Sequence, residues 1–463
     1  MTSKQSVAAQ NRFVYYPDHL VCMPGPGRSL FASISTVFSE PAFQGLLSGV
    51  ISEPFRRDVQ DIYDESVGSF ISRRFGSGIA DNVVSAVFHG IYAGDIYQLS
   101  ARSILTRLYK ISQTYGSLIT GLISESIRDD PLVPTADRLL TERLKALGPE
   151  LLDKFKDCSV FTLKGGIGQL AESLENALNK NPRVTILKNT PIKALEMITE
   201  GTISEVWNDT IRFCMRHSHL VQLQIQIKPI KPKGASSRIS TRRYSHVIST
   251  ISGKNLNAIT QPAGCLPWLA ITPSVTVMVV NLYFSNPHLL PVHGFGYLLP
   301  RSVPLDQNPE RALGVVFDSD ATIGQDEVPG TKLTVMMGGH WWDGWDTYPD
   351  EDQGAFMAKA VLARHLGITK EPQMVRVALQ KECIPQYTVG HTARMSKAHQ
   401  SLLDHFHGRL KVAGNSYTGV GLNDCIRAAH TISNSLASRF EHTGLDTLVP
   451  GLEHWERHVK DAE

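Results

Sequence analysis

A strand that runs into a helix through a turn with three glycines, Val412-Ala413-Gly414-Asn415-Ser416-Tyr417-Thr418-Gly419-Val420-Gly421-Leu422-Asn423-Asp424-Cys425, constrains this chain more than any other stretch. Apolar residues at 410–413 read as a short strand, and an amphipathic helix leaves the turn at about 423 and runs to about 440. A helix start of this kind offers unpaired N–H groups and a partial positive charge. The 463 residues are enough for two or three domains, and a hydrophobic share of 42% with 19% charged suits a globular protein.

Upstream, residues 11–24 read as a strand and a turn, and 28–128 as helical. Apolar Val59, Ile62, Val67, Phe70 and Ile71 give a near-3.6 period over 58–75, and 81–88 and 103–124 read the same way. The sparsely charged face at 111–123 fits a helix lying on a membrane or one packed in a core. After a charged stretch at 128–147 the chain alternates. A strand at 159–163, a helix at 169–179 and a strand at 183–187 come first. Strands at 244–251, 275–284, 313–317, 333–337 and 375–379 follow, with a helix at 353–366. Residues 206–243 fit neither pattern and are expected to be an irregular insertion or sequence foreign to the fold.

A net charge of +2 excludes a general polyanion binder, and no nucleic-acid partner is expected. The charge is uneven, however. No Asp or Glu occurs over 210–305, which holds Arg212, Arg216, Lys228, Lys231, Lys233, Arg238, Arg242, Arg243, Lys254 and Arg301. Such a stretch suits an anionic ligand or membrane surface, or a solvated loop balanced by acids elsewhere. Cys22, Cys158, Cys214, Cys265, Cys383 and Cys425 form no CxxC pair, which argues for reduced, mostly buried thiols. No apolar run reaches the length of a membrane span, and residues 1–10 carry no signal-peptide core.

Gly166-Ile167-Gly168-Gln169-Leu170-Ala171 satisfies G-x-G-x-x-A between a strand and a helix. The strand at 183–187 then runs into Lys188 and Asn189, without the acid that would hold a ribose. A nicotinamide site and a plain glycine turn both fit. Gly414-x-Ser416 is no nucleophile elbow, because Thr418 stands where glycine is needed. His405 and His407 alternate as strand neighbours would, without a third metal ligand nearby. Arg12 sits in a strand expected to be half-buried, so its guanidinium needs an internal acid or a substrate carboxylate. The helix start at 421–423 suits the electron-rich edge of a reduced flavin, or a cap with no ligand.

These segments together resemble the protoporphyrinogen oxidase family of flavin amine oxidase-like enzymes. The matching stretches are Ala9-Gln10-Asn11-Arg12-Phe13, His89-Gly90-Ile91-Tyr92-Ala93-Gly94, Gly294-Phe295-Gly296-Tyr297-Leu298, Thr334-Val335-Met336-Met337-Gly338-Gly339, 383–391 and the 412–425 turn. The resemblance implies a mixed α+β and α/β chain with an amine oxidase-like fold. It places a helical membrane-associating domain at 25–146, a remnant of the FAD-binding domain at 147–253 and a mixed-sheet substrate domain at 254–408. The strand at 1–24 belongs to the substrate domain, 409–440 returns to FAD, and 441–463 is a tail. Family members open with a strand, a G-x-G-x-x-G turn and a helix for the ADP half of FAD. This chain is expected to be truncated and to lack that unit.

By resemblance, Arg12, Gly90, Phe295, Leu298 and Met336 contact a tetrapyrrole substrate, and Ile192, Asn415, Val420, Gly421 and Leu422 contact FAD. No general base is assigned. The implied reaction is oxidation of protoporphyrinogen IX with FAD and O2, giving H2O2, in haem synthesis. The alternative is an inert, flavin-free homologue that binds tetrapyrrole or membrane. The resemblance also implies peripheral attachment to the inner mitochondrial membrane and allows a homodimer.

Overall fold

The computed structural model describes residues 2–25, 29–56, 62–128, 131–198, 222–227, 240–436, 442–452 and 455–457. The chain divides into two compact units. One holds Met1–Ala177, Pro273–Val389 and Trp455–Glu463, the other Leu178–Thr272 and Gly390–His454.

The first unit is built on a seven-stranded sheet. In chain order its strands are β1 (Phe13–Tyr15), β2 (Leu20–Cys22), β3 (Ser274–Phe284), β4 (Gly296–Leu298), β5 (Ala312–Phe317), β6 (Thr331–Gly338) and β7 (Met374–Pro385). They lie in the order β7-β3-β6-β5-β4-β1-β2. Every pairing is antiparallel except β4 with β1, which run parallel. Successive side chains of a strand point to opposite faces, and the sequence uses that alternation. Phe13, Tyr15, Met278, Val280, Leu282, Val315, Phe317, Leu333, Val335 and Met337 are buried together on one face. Ala358, Val361, Leu362 and Leu366 of the helix Glu351–Leu366 complete this core. Tyr297 is wholly inside it, its hydroxyl 2.9 Å from His365 Nδ1, while His365 Nε2 meets the Gln307 carbonyl at 2.7 Å.

Helices predominate among the described residues of 30–128 in the same unit. The segment expected to be one helix over 58–75 is a helix only over Val67–Phe75, capped by the Ser66 hydroxyl, which accepts from Ser69 N–H; Val59 lies outside the described residues. The expected helix at 103–124 begins in the short helix Ala101–Ile104 and is otherwise divided between Thr106–Tyr115 and a second helix, Leu118–Arg128, which part at left-handed Gly116. Glu53 and Arg74 are buried and paired at 2.7 Å. The Glu53 carboxylate also accepts from Leu118 N–H at 2.8 Å and Ile119 N–H at 3.2 Å, so it caps the second helix.

The second unit carries an antiparallel run Ile192–Ile198, Gln222–Ile227, Ser240–Tyr244, with Thr260–Gln261 parallel to the first. Gln222–Ile227 and Ser240–Tyr244 correct the expectation of irregular sequence at 206–243, because Leu223 and Ile225 point into a core while the glutamines between them do not. Arg212, Arg216, Lys228, Lys231, Lys233, Arg238 and Cys214 lie outside the described residues. A second correction concerns 183–187, which forms no strand: Val184, Ile186 and Leu187 are exposed and have no ladder partner among the described residues. Cys158–Val160 pairs antiparallel with Thr2–Ser3. The glycine turn at 166–168 therefore joins no parallel βαβ unit, and the nicotinamide reading falls. His405 ends the helix His391–Phe406 and His407 caps it, so neither is on a strand. Among the described residues no group of three potential ligands could hold a metal. The described cysteines form no disulfide and are half-buried rather than fully buried. No described helix is long and apolar enough to cross a membrane.

Candidate functional site

The face of the sheet opposite the dry core carries the substrate residues expected in the first unit. Register aligns Val14, Leu298, Gly314, Met336, Val279 and Ala378 as one row across six strands. Leu298 and Met336 are thus neighbours through Gly314, where a side chain has no room: a Cβ there would sit 2.7 Å from the Tyr297 carbonyl oxygen and 2.8 Å from Leu298. Gly90 approaches from the helix Ser85–Tyr92, and a Cβ on it would meet Leu298 at 2.7 Å. Gly90 accordingly makes space for Leu298, a packing role that the sequence alone does not reveal. Around Met336, Ala93, Val275, Val277 and Leu313 are buried, with Val279 and Trp341 against them. That is an apolar floor for a flat ligand.

Arg12 and Phe295 stand at the rim of this floor. The Phe295 N–H donates to the Asn11 carbonyl at 2.9 Å, and the Arg12 guanidinium lies 5.7 Å from the Phe295 ring centroid. Arg12 is exposed, contrary to the half-buried strand position expected. It precedes β1 and has no acidic partner among the described residues. No described acid uses it, and its guanidinium is open to an anionic group on a ligand.

Two histidines lie behind the floor. His89 Nδ1 is 2.6 Å from the Leu299 carbonyl and its Nε2 is 2.8 Å from His340 Nε2. A carbonyl only accepts, so His89 carries its proton on Nδ1 and His340 donates from Nε2. Burial, then the charge of His340, pushes His89 down to about 3; burial and the nearby Arg301 and Arg311 push His340 down to about 4. The pair is neutral at physiological pH.

In the second unit the strand Leu410–Val412 runs parallel to Val247–Ser249 and leads through the glycine turn to the helix Leu422–Ser435. Tyr417 anchors the turn: its hydroxyl donates to the Ile251 carbonyl at 2.6 Å, and its own carbonyl meets buried His391 Nε2 at 2.9 Å. Gly421 and Leu422 are exposed at the head of the helix, with half-buried Val420 before them. There the Asp424 carboxylate accepts from Gly421 N–H at 3.1 Å. Asn415 is in the same turn. Ile192 opens the strand Ile192–Ile198 of a different sheet, so it is not part of that turn. The sequence signal for the anchors was weak: His391 and Tyr417 are ordinary residues until the fold joins them.

The pattern of the flavin containing amine oxidoreductase family matches residues 8–436. The chain belongs to that family. It is 34% identical to the protoporphyrinogen oxidase of Schizosaccharomyces pombe over 94% of this chain and 80% of that one. It is 32% identical to the human protoporphyrinogen oxidase over 93% of this chain and 79% of that one. Among solved structures, an Exiguobacterium sp. 255-15 protein assigned as a protoporphyrinogen oxidase superposes with a TM-score of 0.64 at 19% identity, covering 94% and 81%. Reduced UDP-galactopyranose mutase superposes at 0.58 with 11% identity, covering 96% and 79%. Both share the mixed α/β fold.

The site fits a flavin on one observation: the start of a 14-residue helix is exposed, preceded by Gly419 and Gly421, which carry no side chain over it. Asn415, Val420, Gly421 and Leu422, four of the five residues expected to contact FAD, lie in this turn or at the head of its helix.

Proposed function

We propose that this member of the family oxidises protoporphyrinogen IX to protoporphyrin IX in haem synthesis, using FAD and O2 and releasing H2O2. The observation that carries this reading is the apolar row Leu298-Gly314-Met336-Val279 with exposed Arg12, which has no acidic partner among the described residues, at its rim. An apolar tetrapyrrole macrocycle with charged propionates needs that combination. Arg12 holds a propionate, the row and the Phe295 ring support the macrocycle, and water is kept from its faces. FAD supplies the two-electron acceptor when bound, and O2 restores it. Similarity to oxidases along nearly the whole chain favours this reading over a flavin-free homologue.

The test is the holoenzyme's turnover: porphyrin fluorescence and H2O2 should appear together when protoporphyrinogen is added in air. Absence of both with flavin bound would refute it. The chain contains no G-x-G-x-x-G, and we infer that the ADP half of FAD rests on such a unit. Fusing one ahead of Ala8 should then raise FAD affinity, and an unchanged affinity would refute this.

Peripheral attachment to the inner mitochondrial membrane belongs to the same proposal. Exposed Phe31, Phe38 and Phe55, with Ile34 and Ile51, support it. Sedimentation with cardiolipin-containing vesicles tests it, and the Phe31→Ser/Phe55→Ser double variant should remain in the supernatant. A homodimer is the assembly we expect, to be read by analytical ultracentrifugation.

A further inference from the structure

Two residues along the strands from the apolar row, the same open face carries a second row whose far half, Thr334, Asn281 and Arg376, is polar. Register aligns Gly296, Val316, Thr334, Asn281 and Arg376, two residues and about 7 Å along the strands from Leu298 and Met336. Within it, Asn281 Nδ2 donates to Thr334 Oγ1 at 2.7 Å, and Thr334 Oγ1 donates to Asp318 Oδ2 at 2.6 Å.

The direction of this chain is fixed at one end. Thr334 has one hydroxyl proton, and an ionised carboxylate only accepts, so that proton goes to Asp318. Thr334 must then accept from Asn281, which turns the amide so that Oδ1 faces away from Thr334. Asn281 is exposed on this face, and among the described residues its Oδ1 accepts no hydrogen bond. The result is a bare, oriented acceptor beside the apolar floor.

We propose that Asn281 Oδ1 selects the reduced macrocycle by accepting a hydrogen bond from a pyrrole N–H. The inference rests on the tetrapyrrole reading above. A porphyrinogen has an N–H on every pyrrole, whereas in the porphyrin half of the nitrogens have become imine acceptors that repel Oδ1. Substrate is held and product is released by the same atom. Thr334 and Asp318 are positioning residues, setting which end of the Asn281 amide faces the ligand.

Charged groups around the chain are few. Lys332 and Asp326, paired with each other, flank Asp318, and Arg376 is opposite Asn281 on β7. Burial raises the Asp318 carboxyl above its ordinary range, with the Thr334 hydrogen bond and then Lys332 opposing. As pH falls and Asp318 protonates, it becomes able to donate to Thr334. The chain then reverses, and Asn281 presents its NH2 group instead.

The experiment compares KM for protoporphyrinogen with the Kd for protoporphyrin, read by porphyrin fluorescence, in the holoenzyme. Asn281→Ala and Thr334→Val should raise KM about three- to tenfold while Kd for product is unchanged or tighter. Thr334→Ser should restore KM, which guards against a merely misfolded Val variant. In the unsubstituted enzyme KM should rise as pH falls, and Asp318→Asn should flatten that dependence. Equal shifts of KM and Kd, or no shift, would overturn the inference while leaving the oxidase reading intact. No turnover by the unsubstituted holoenzyme would overturn both.

Discussion

The two faces of the seven-stranded sheet are made from the same strands, yet they are built to opposite ends. Under the helix Glu351–Leu366 the face is closed, with Leu333, Val335 and Met337 fully buried and even Tyr297 satisfied internally. Across the sheet, Lys332, Thr334 and Met336 alternate with them and stay partly open. The difference is one residue of phase. It separates stability from recognition within a single strand, so substitutions one position apart should fail in different ways.

The largest effect is expected on the closed face. Leu333→Ala removes a wholly buried side chain and should cost about 2–5 kcal/mol of stability, seen as a lower denaturation midpoint. On the open face, Arg12→Ala should leave the midpoint nearly unchanged but raise KM about 10- to 100-fold, the loss of a charge-assisted hydrogen bond. If Arg12→Ala leaves KM unchanged, the propionate assignment fails.

A smaller effect should follow from pH. Burial, the largest influence, holds His365 down to about 4. Between the ordinary histidine value and about 4 the unfolded chain binds a proton that the folded chain does not, so stability falls as pH falls through that window. His365→Gln should flatten this slope in urea melts taken from pH 7 to 4; an unaltered slope would mean that other histidines dominate. Least of all, Met336→Ala should lower the midpoint only slightly while raising KM a few-fold, in contrast to Leu333→Ala three positions away.

Much of this phase was legible in advance. Strands at 275–284, 313–317 and 333–337 stand within a few residues of β3, β5 and β6, because buried strands advertise themselves by branched, apolar runs. Arg12, Phe295, Leu298 and Met336 came from resemblance, and the structure places Arg12 with Phe295 and Leu298 with Met336. What failed had a physical reason. Val184, Ile186 and Leu187 look like a strand but have no ladder to join, which local sequence cannot report. His391, Met395, Ala398, Leu402 and Phe406 have helical spacing that polar neighbours hid. Asn281, Thr334 and Asp318 come from three separate segments and become a chain only through register.

The parallel pairing of β1 with β4 has a consequence for how the molecule is made. Asn11 donates to the His293 carbonyl, 282 positions later in the sequence, and Phe13, Val14 and Tyr15 wait with it for their partner strand. On the ribosome, these apolar residues emerge long before β4 exists, and Leu178–Thr272 of the second unit must be made in between. Closing so distant a contact is slow and leaves an unpaired edge exposed meanwhile. Synthesis of this protein should therefore lean on a chaperone that shelters its first strand until the fourth arrives.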